Sequence, residues 1–203
     1  MNDQQTKDRL ILAARRLFAE QGFHRASVRA ITRAARANLG AVTYHFGTKE
    51  QLRLEVLGRL ASGLADRVTT AAAAPAPAPA RLGAVVHAFF QFFQDDPGAP
   101  RIMLQILAAG GPPPAPVLAQ QRRILEAVDD IVRTGVAAGE LRSVVPFFVA
   151  FSIFSQCVWF AVARPQLAVI SALPLATPDL TAALERHITD IVTRALAPAA
   201  GTR

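Results

Sequence analysis

The chain has 203 residues, and the 52% that are hydrophobic exclude a disordered chain and are enough to bury a sizeable core. Residues 1–60 hold 11 Lys/Arg against 5 Asp/Glu, whereas the remainder holds 11 against 10, so the net charge of +7 is concentrated at one end. Such a basic head on a nearly neutral body indicates a polyanionic partner such as nucleic acid, although a solvated helix surface gives the same charge pattern.

The single cysteine, Cys157, excludes an intrachain disulfide and fits a reducing compartment. The first residues lack the apolar run of a secretory signal, so we expect a cytoplasmic protein. The uncharged segment Val144–Ala163 is long enough to span a membrane, but a proline and three polar residues interrupt it. We therefore interpret this segment as a helix buried in a helical domain and expect no membrane association.

Helical periodicity dominates from the N-terminus, and the alternation typical of strands is scarce. Thr6 is a suitable N-cap for a first helix, which Gly22 is expected to end. Ser27 is a suitable cap for a short second helix, and Asn38 for a third. Residues 48–51 have the pattern of a capping box, which predicts a fourth helix.

The second half of the chain alternates apolar helical segments with breakers. The Ala-Pro stretch 71–80 predicts an extended, semi-rigid spacer that cannot continue a helix. Gly139 is expected to end one later helix. The pair Arg164-Pro165 is expected to end the next one. The predicted helical segments are 82–94, 101–109, 117–138, 144–163 and 179–196.

The segment 27–50 reads as two short helices joined by a tight turn and followed by a capped helix start. This is the layout of a helix-turn-helix, in which the second helix enters the major groove of DNA. Ala41 and the glycine before it are small enough for close approach to the duplex. Thr43, Tyr44 and His45 offer hydroxyl and ring-nitrogen groups suited to bases or phosphates.

The sequence Thr-Tyr-His-Phe-Gly-Thr-Lys-Glu at 43–50 resembles the recognition-helix end and following cap of the tetracycline-repressor (TetR) family. Residues 23–31 resemble the preceding part of the same signature, and the close resemblance covers about residues 6–57. It implies an all-α fold of about nine helices. A three-helix DNA-binding head would occupy residues 1–47, and a linking helix over residues 48–68 would follow it. A body over 69–203 would bind an effector and form a homodimer through its last two helices.

The resemblance also implies which side chains lie at the DNA face. The family usually has glycine in the turn where this chain has Arg36. Two alternatives follow: either Arg36 takes a costly positive φ and compensates by contacting phosphate, or the turn differs slightly from that of the family. The complete predicted DNA-binding set is Ser27, Arg29, Arg36, Asn38, Ala41, Thr43, Tyr44, His45 and Lys49.

The body is rich in phenylalanine, which is expected of a core and a dimer interface but also of an apolar ligand cavity. Such a cavity would favour an effector that is largely apolar and at most singly charged. The predicted effector-binding set is His87, Phe89, Phe93, Met103, Gln105, Leu107, Phe151, Phe154 and Gln156.

Two other classes of function are less consistent with the sequence. An enzyme could use Cys157 as nucleophile with His87 or His187 as base, but no activating cation, glycine-rich loop or metal-ligand spacing accompanies them. An architectural DNA-packaging protein would need positive charge throughout. We therefore predict a non-enzymatic transcriptional regulator without metal or cofactor, a repressor that a small molecule releases from a palindromic operator in double-stranded DNA.

Overall fold

The computed structural model describes residues 3–171, 173–174 and 177–198. Over these residues the chain forms nine α-helices and no strand, which confirms the all-α prediction. The helices are α1 (Asp3–Arg25), α2 (Val28–Ala34), α3 (Ala41–Phe46), α4 (Lys49–Ala72), α5 (Ala78–Asp95), α6 (Ala99–Ala108), α7 (Ala115–Ala137), α8 (Pro146–Ser171) and α9 (Pro178–Ala195).

The chain divides into two compact units. The first unit contains the residues up to Ser62 together with Gly98–Ala119, and the second contains Gly63–Pro97 and the chain from Gln120 onwards. The helices α4 and α7 each contribute residues to both units. The division is therefore not a single cut in the chain, because the loop-helix segment containing α6 packs with the N-terminal helices.

The first unit is built on α1, whose apolar stripe packs against α2, α3 and α6. Leu10 and Ala14 of α1 are completely buried, as is Ile31 of α2. The side-chain amide of Gln105 on α6 donates to the Phe18 carbonyl at 3.0 Å, which fastens α6 to α1. These contacts leave the outer faces of α2 and α3 uncovered within this unit.

Two of the predicted helix caps are confirmed and two are wrong. Ser27 Oγ accepts from the Ala30 N–H, and Thr48 Oγ1 accepts from the Gln51 N–H, both at 3.1 Å. Asn38 does not cap α3, because a backbone turn over residues 38–41 intervenes and the helix begins at Ala41. The first helix begins at Asp3 rather than after Thr6.

Gly22 has φ 81° and ψ 162°, so it interrupts α1 where the sequence predicted its end, and one further turn follows.

The second unit packs α5 against α8 and α9. Phe89, Ile153 and Ile188 are among its largest fully buried side chains, one from each helix. A Cβ added at Gly83 of α5 would lie 3.1 Å from Thr189 Cγ2 of α9, so the glycine permits close approach of these two helices.

The helix α8 continues through Pro165 to Ser171, so the predicted end at Arg164-Pro165 is wrong. A proline removes one backbone hydrogen bond and usually kinks a helix, but the turns on either side can continue it. By length and composition α8 is the one helix among the described residues that could cross a membrane, and a third of its most apolar window is buried. The rest of this window is partly or fully exposed in the single chain.

The spacer between α4 and α5 is shorter than predicted, because α4 extends to Ala72 and α5 begins at Ala78. Proline in the first turn of α5 does not interrupt helical bonding there. The Arg81 guanidinium donates to the Ala72 carbonyl at 2.6 Å and to Asp130 Oδ2 at 2.9 Å. Glu140 Oε2 accepts from the Ala78 N–H at 2.6 Å, so polar side chains fix both ends of the connection.

Candidate nucleic-acid interface

The outer face of α2 is cationic. Ile31 and Thr32 are buried, whereas Arg29 and Arg33 are exposed one helical turn apart. Arg36 follows in the turn after α2 and is also exposed. Arg33 was absent from the set predicted from the sequence, although its spacing of four residues from Arg29 would have identified it.

The sequence around these arginines contains no opposing carboxylate. Residues 21–49 contain four arginines and one lysine but no Asp or Glu. Cations presented by neighbouring short helices, without interspersed acids, give a positive surface that attracts a polyanion.

The helix α3 presents two polar side chains on its outer face. Thr43 and Tyr44 are exposed, and Tyr44 retains 77% of its accessible surface. Val42 lies on the buried side and holds the helix against the unit. A rigid aromatic ring with a hydroxyl at its tip is suited to contact bases or phosphates in a groove.

Two predicted DNA contacts face inward instead. Ala41 is buried beside Val42. The side chain of His45 is only 7% exposed, its Nε2 lies 3.8 Å from Asp3 Oδ1, and its ring contacts Tyr44 edge-on at 5.0 Å. In a helix of six residues, positions 41, 42 and 45 share the side that packs on the core. We therefore withdraw Ala41 and His45 from the proposed contact set.

The remaining predicted residues lie at the edges of this surface. Ser27 is exposed, and its hydroxyl accepts the capping bond while its proton can still be donated. Asn38 is exposed in the turn before α3. Lys49 is partly exposed; its Nζ donates to the His24 carbonyl at 3.4 Å and lies 4.3 Å from the centre of the Phe23 ring.

Arg36 has φ 51°, the one positive φ of a non-glycine residue in the part of the chain that the structure describes. Of the two alternatives expected where the family usually has glycine, the structure therefore has the strained turn. A left-handed conformation costs a residue with a Cβ about 1 kcal/mol. Strained residues are found most often at functional sites, and the exposed charge of Arg36 is suited to contact a phosphate.

We expect Arg36→Gly to raise the free energy of unfolding by about 1 kcal/mol while it weakens DNA binding, because the strain and one cation are removed together. The matched control is Arg33→Gly, which lies in helical conformation and should lower stability by roughly 0.8 kcal/mol. Urea denaturation measures both changes. A loss of stability in Arg36→Gly would contradict the assignment of strain.

The predicted effector-binding residues are distributed over both units. Met103, Gln105 and Leu107 belong to the first unit, and the other six belong to the second. The Gln105 amide is used in the bond to Phe18, and Leu107 is exposed.

In the second unit, three predicted phenylalanines lie together. The Phe89 ring is 6.0 Å from that of Phe93 on α5 and 6.2 Å from that of Phe154 on α8, centre to centre. Phe151 is not part of this cluster, because it is exposed and stacks on Phe147.

The polar residues predicted beside them have protein partners. Gln156 donates to Ser152 of its own helix, and His87 Nδ1 lies 2.7 Å from Glu185 Oε1.

Cys157 is buried on the inner face of α8. Burial raises the pKa of its thiol to about 12, and the negative charge of Glu185 adds to the shift. Because the thiolate is the reactive form, the thiol is inert at neutral pH. The arrangement therefore offers no support for the enzymatic alternative.

Comparison with known proteins agrees with this arrangement over nearly the whole chain. Residues 10–56 match the family model "Bacterial regulatory proteins, tetR family", and residues 79–192 match "Tetracyclin repressor-like, C-terminal domain". The HTH-type transcriptional activator FasR of Mycolicibacterium smegmatis is 29% identical over 165 residues, which cover 78% of this chain and 74% of FasR.

Two solved structures show the same fold. The TetR family regulator PfmR of Thermus thermophilus superposes with a TM-score of 0.74 at 23% identity, covering 92% of this chain and 95% of PfmR. A tetR family regulator of Rhodococcus RHA1 superposes with a TM-score of 0.78 at 21% identity, covering 96% and 98%. The matches to both family models, with the exposed recognition helix and its cationic neighbour, place the chain in the TetR family of helix-turn-helix transcriptional regulators.

Proposed function

We propose that this regulator is a cytoplasmic homodimeric repressor that binds a palindromic operator and is released from it by a small, largely apolar molecule. The observation that carries the DNA-binding part is the outer surface of α2 and α3. It exposes Arg29, Arg33, Arg36 and Tyr44 from a stretch of 29 residues, 21–49, without a single carboxylate. The arginines would hold the phosphates, and Thr43 with Tyr44 would contact bases.

An apolar stripe on α8 supports the homodimer. Phe148, Phe151 and Trp159 follow one another at helical spacing and are all more than half exposed, while Val149 and Ile153 cover the opposite, buried face. An apolar face of this extent is unfavourable in water. A second copy related by a two-fold axis would bury it, and two heads so related would bind half-sites one or more helical turns apart.

The effector would bind at the cluster of Phe89, Phe93 and Phe154 in the second unit. The polar residues predicted for this site already have protein partners: Gln156 donates to Ser152, and His87 Nδ1 lies 2.7 Å from Glu185 Oε1. Because burying an ionised ligand without a matched partner is costly, we expect an uncharged or singly charged aromatic or aliphatic molecule. It would act only through a difference in affinity between the DNA-binding and released conformations.

An activator is the second candidate, because FasR, similar over three quarters of the chain, is named an activator. Both functions use the same DNA interface. Transcription in vitro from a promoter carrying the bound site distinguishes them, since a repressor lowers the yield of transcript and an activator raises it.

The test of the proposed function has two stages. Fragments of genomic DNA retained by the protein are sequenced, and a palindromic site is expected. Apolar aromatics, polar metabolites and nucleotides are then compared in a thermal-shift screen, with each hit assayed for release of that site. Phe154→Leu should reduce the response to an apolar hit, whereas the exposed Leu107→Ala should leave it unchanged. Stabilisation and release by nucleotides alone would refute the apolar site.

A further inference from the structure

The ring of Phe23, in the last turn of α1, has two cations on it. Lys49 Nζ lies 4.3 Å from the ring centre, and Arg53 Cζ lies 4.9 Å from it. Both distances are within the range of a cation–π interaction. The centre of the same ring lies 5.5 Å from the centre of the Phe18 ring, in an edge-to-face arrangement. Because Phe18 is buried in the core of the first unit, this contact fixes the orientation of the Phe23 ring.

The two cations differ in their other partners. Arg53 Nε donates to Glu50 Oε1 at 3.0 Å, which compensates its charge. Lys49 has no carboxylate partner within the described ranges, and its Nζ donates instead to the His24 carbonyl at 3.4 Å. The lysine charge is thus held by a neutral ring and a neutral carbonyl, which restrict a flexible side chain without neutralising it.

The position of this contact matters because Phe23 and Lys49 lie near the two ends of the segment 21–49, which contains no acid. Phe23 precedes the cap of α2, and Lys49 is the first residue of α4, directly after α3 and its turn. The contact therefore joins the end of α1 to the start of α4, at the margin of the cationic surface. A lysine ordered in advance loses less entropy when it binds a phosphate.

We propose that Phe23 is a positioning residue for DNA binding, whose ring holds the Lys49 ammonium in place for a backbone phosphate. The inference rests on the proposed DNA-binding function. The ring itself does not touch DNA; it acts through Lys49. Replacing the ring by an aliphatic side chain of similar size would leave the lysine charged but unordered.

The experiment is a double-mutant cycle of Phe23→Leu and Lys49→Gln, titrated against a duplex enriched by the wild-type protein at several salt concentrations. We expect Phe23→Leu to weaken binding about two- to fivefold for each head, because the lysine must then lose its side-chain freedom on binding the phosphate. In the Lys49→Gln background the same change should have no further effect. Phe23→Tyr, which keeps the ring face, should bind as the wild type does.

Leu10→Ala is the control for a merely structural effect, because it removes a fully buried side chain from the core of the same unit without removing a ring that carries a cation. It should lower the melting temperature but leave the salt dependence unchanged. Equal losses from Phe23→Leu in both lysine backgrounds, or failure of Phe23→Tyr to restore binding, would overturn the inference. Either result leaves the proposed function standing if Tyr44→Ala still abolishes preference for the enriched duplex. Failure of the wild type to retain any duplex would overturn the proposed DNA-binding function and the inference on Phe23 together.

Discussion

Trp159→Glu is expected to convert the protein from a dimer into a folded monomer. Trp159 is 62% exposed in the single chain and continues the apolar stripe formed by Phe148 and Phe151 on α8. A carboxylate at this position would be buried without a partner in the dimer, at a cost of several kcal/mol. The dimer dissociation constant should therefore rise by roughly a thousandfold or more. Sedimentation velocity at micromolar concentration measures the change.

Two isoleucines of α9 provide a matched pair of controls. From the sequence alone, a charge at either Ile188 or Ile191 would be expected to disrupt the dimer. The structure separates them, because Ile188 is fully buried inside the single chain and Ile191 is 43% exposed. Ile191→Glu should give soluble monomers, whereas Ile188→Glu should unfold the protein. A wild type that sediments as a monomer would rule out the interface.

Most of the helical fold was predictable because local signals agree with the packing. Ser27 and Thr48 cap the helices that follow them, and their bonds are made within three residues along the chain. Gly139, with φ 71°, follows the end of α7 as expected. Because such signals depend only on residues close together in the chain, they can be recognised from the sequence alone.

The errors arise where another local structure or a longer helix was equally possible. Asn38 has a good capping side chain, but a backbone turn precedes α3 and delays the helix to Ala41. Pro165 was expected to end α8, yet the apolar turns around it continue the helix. In both places the residue has the expected intrinsic preference, and the surrounding chain overrides it.

Residue type alone could not predict which side chains of α3 point outward. The side chains of Tyr44 and His45 both suit DNA contact, but adjacent helical positions point about 100° apart, so one is exposed and the other packs inward. The phenylalanines of the body pose the same problem. Phe89 is in the core, whereas Phe151 lies on the surface, and only the position of each helix face decides this.

Replacement of Arg29, Arg33 and Arg36 by glutamine should cause the largest loss of DNA affinity. All three are exposed around α2, and a dimer would present six of them. Each phosphate contact contributes about 0.9 to the slope of log affinity against log salt, so the triple variant should lose roughly five units of slope. Through these contacts the wild type should lose affinity on the order of a thousandfold between about 50 and 200 mM salt, a fall that the triple variant should largely lack because it binds weakly throughout. Fluorescence anisotropy across a salt series measures both quantities.

The loss should be the same on specific and random duplexes, because phosphates are common to all sequences. Tyr44→Ala provides the contrast: it should reduce preference for the enriched site by about one to two orders of magnitude and leave the salt slope unchanged. Glutamine at position 36 retains the strained φ, so the folded stability of the triple variant should stay near that of the wild type. A slope that stays constant in the triple variant would show that the α2 surface does not face DNA.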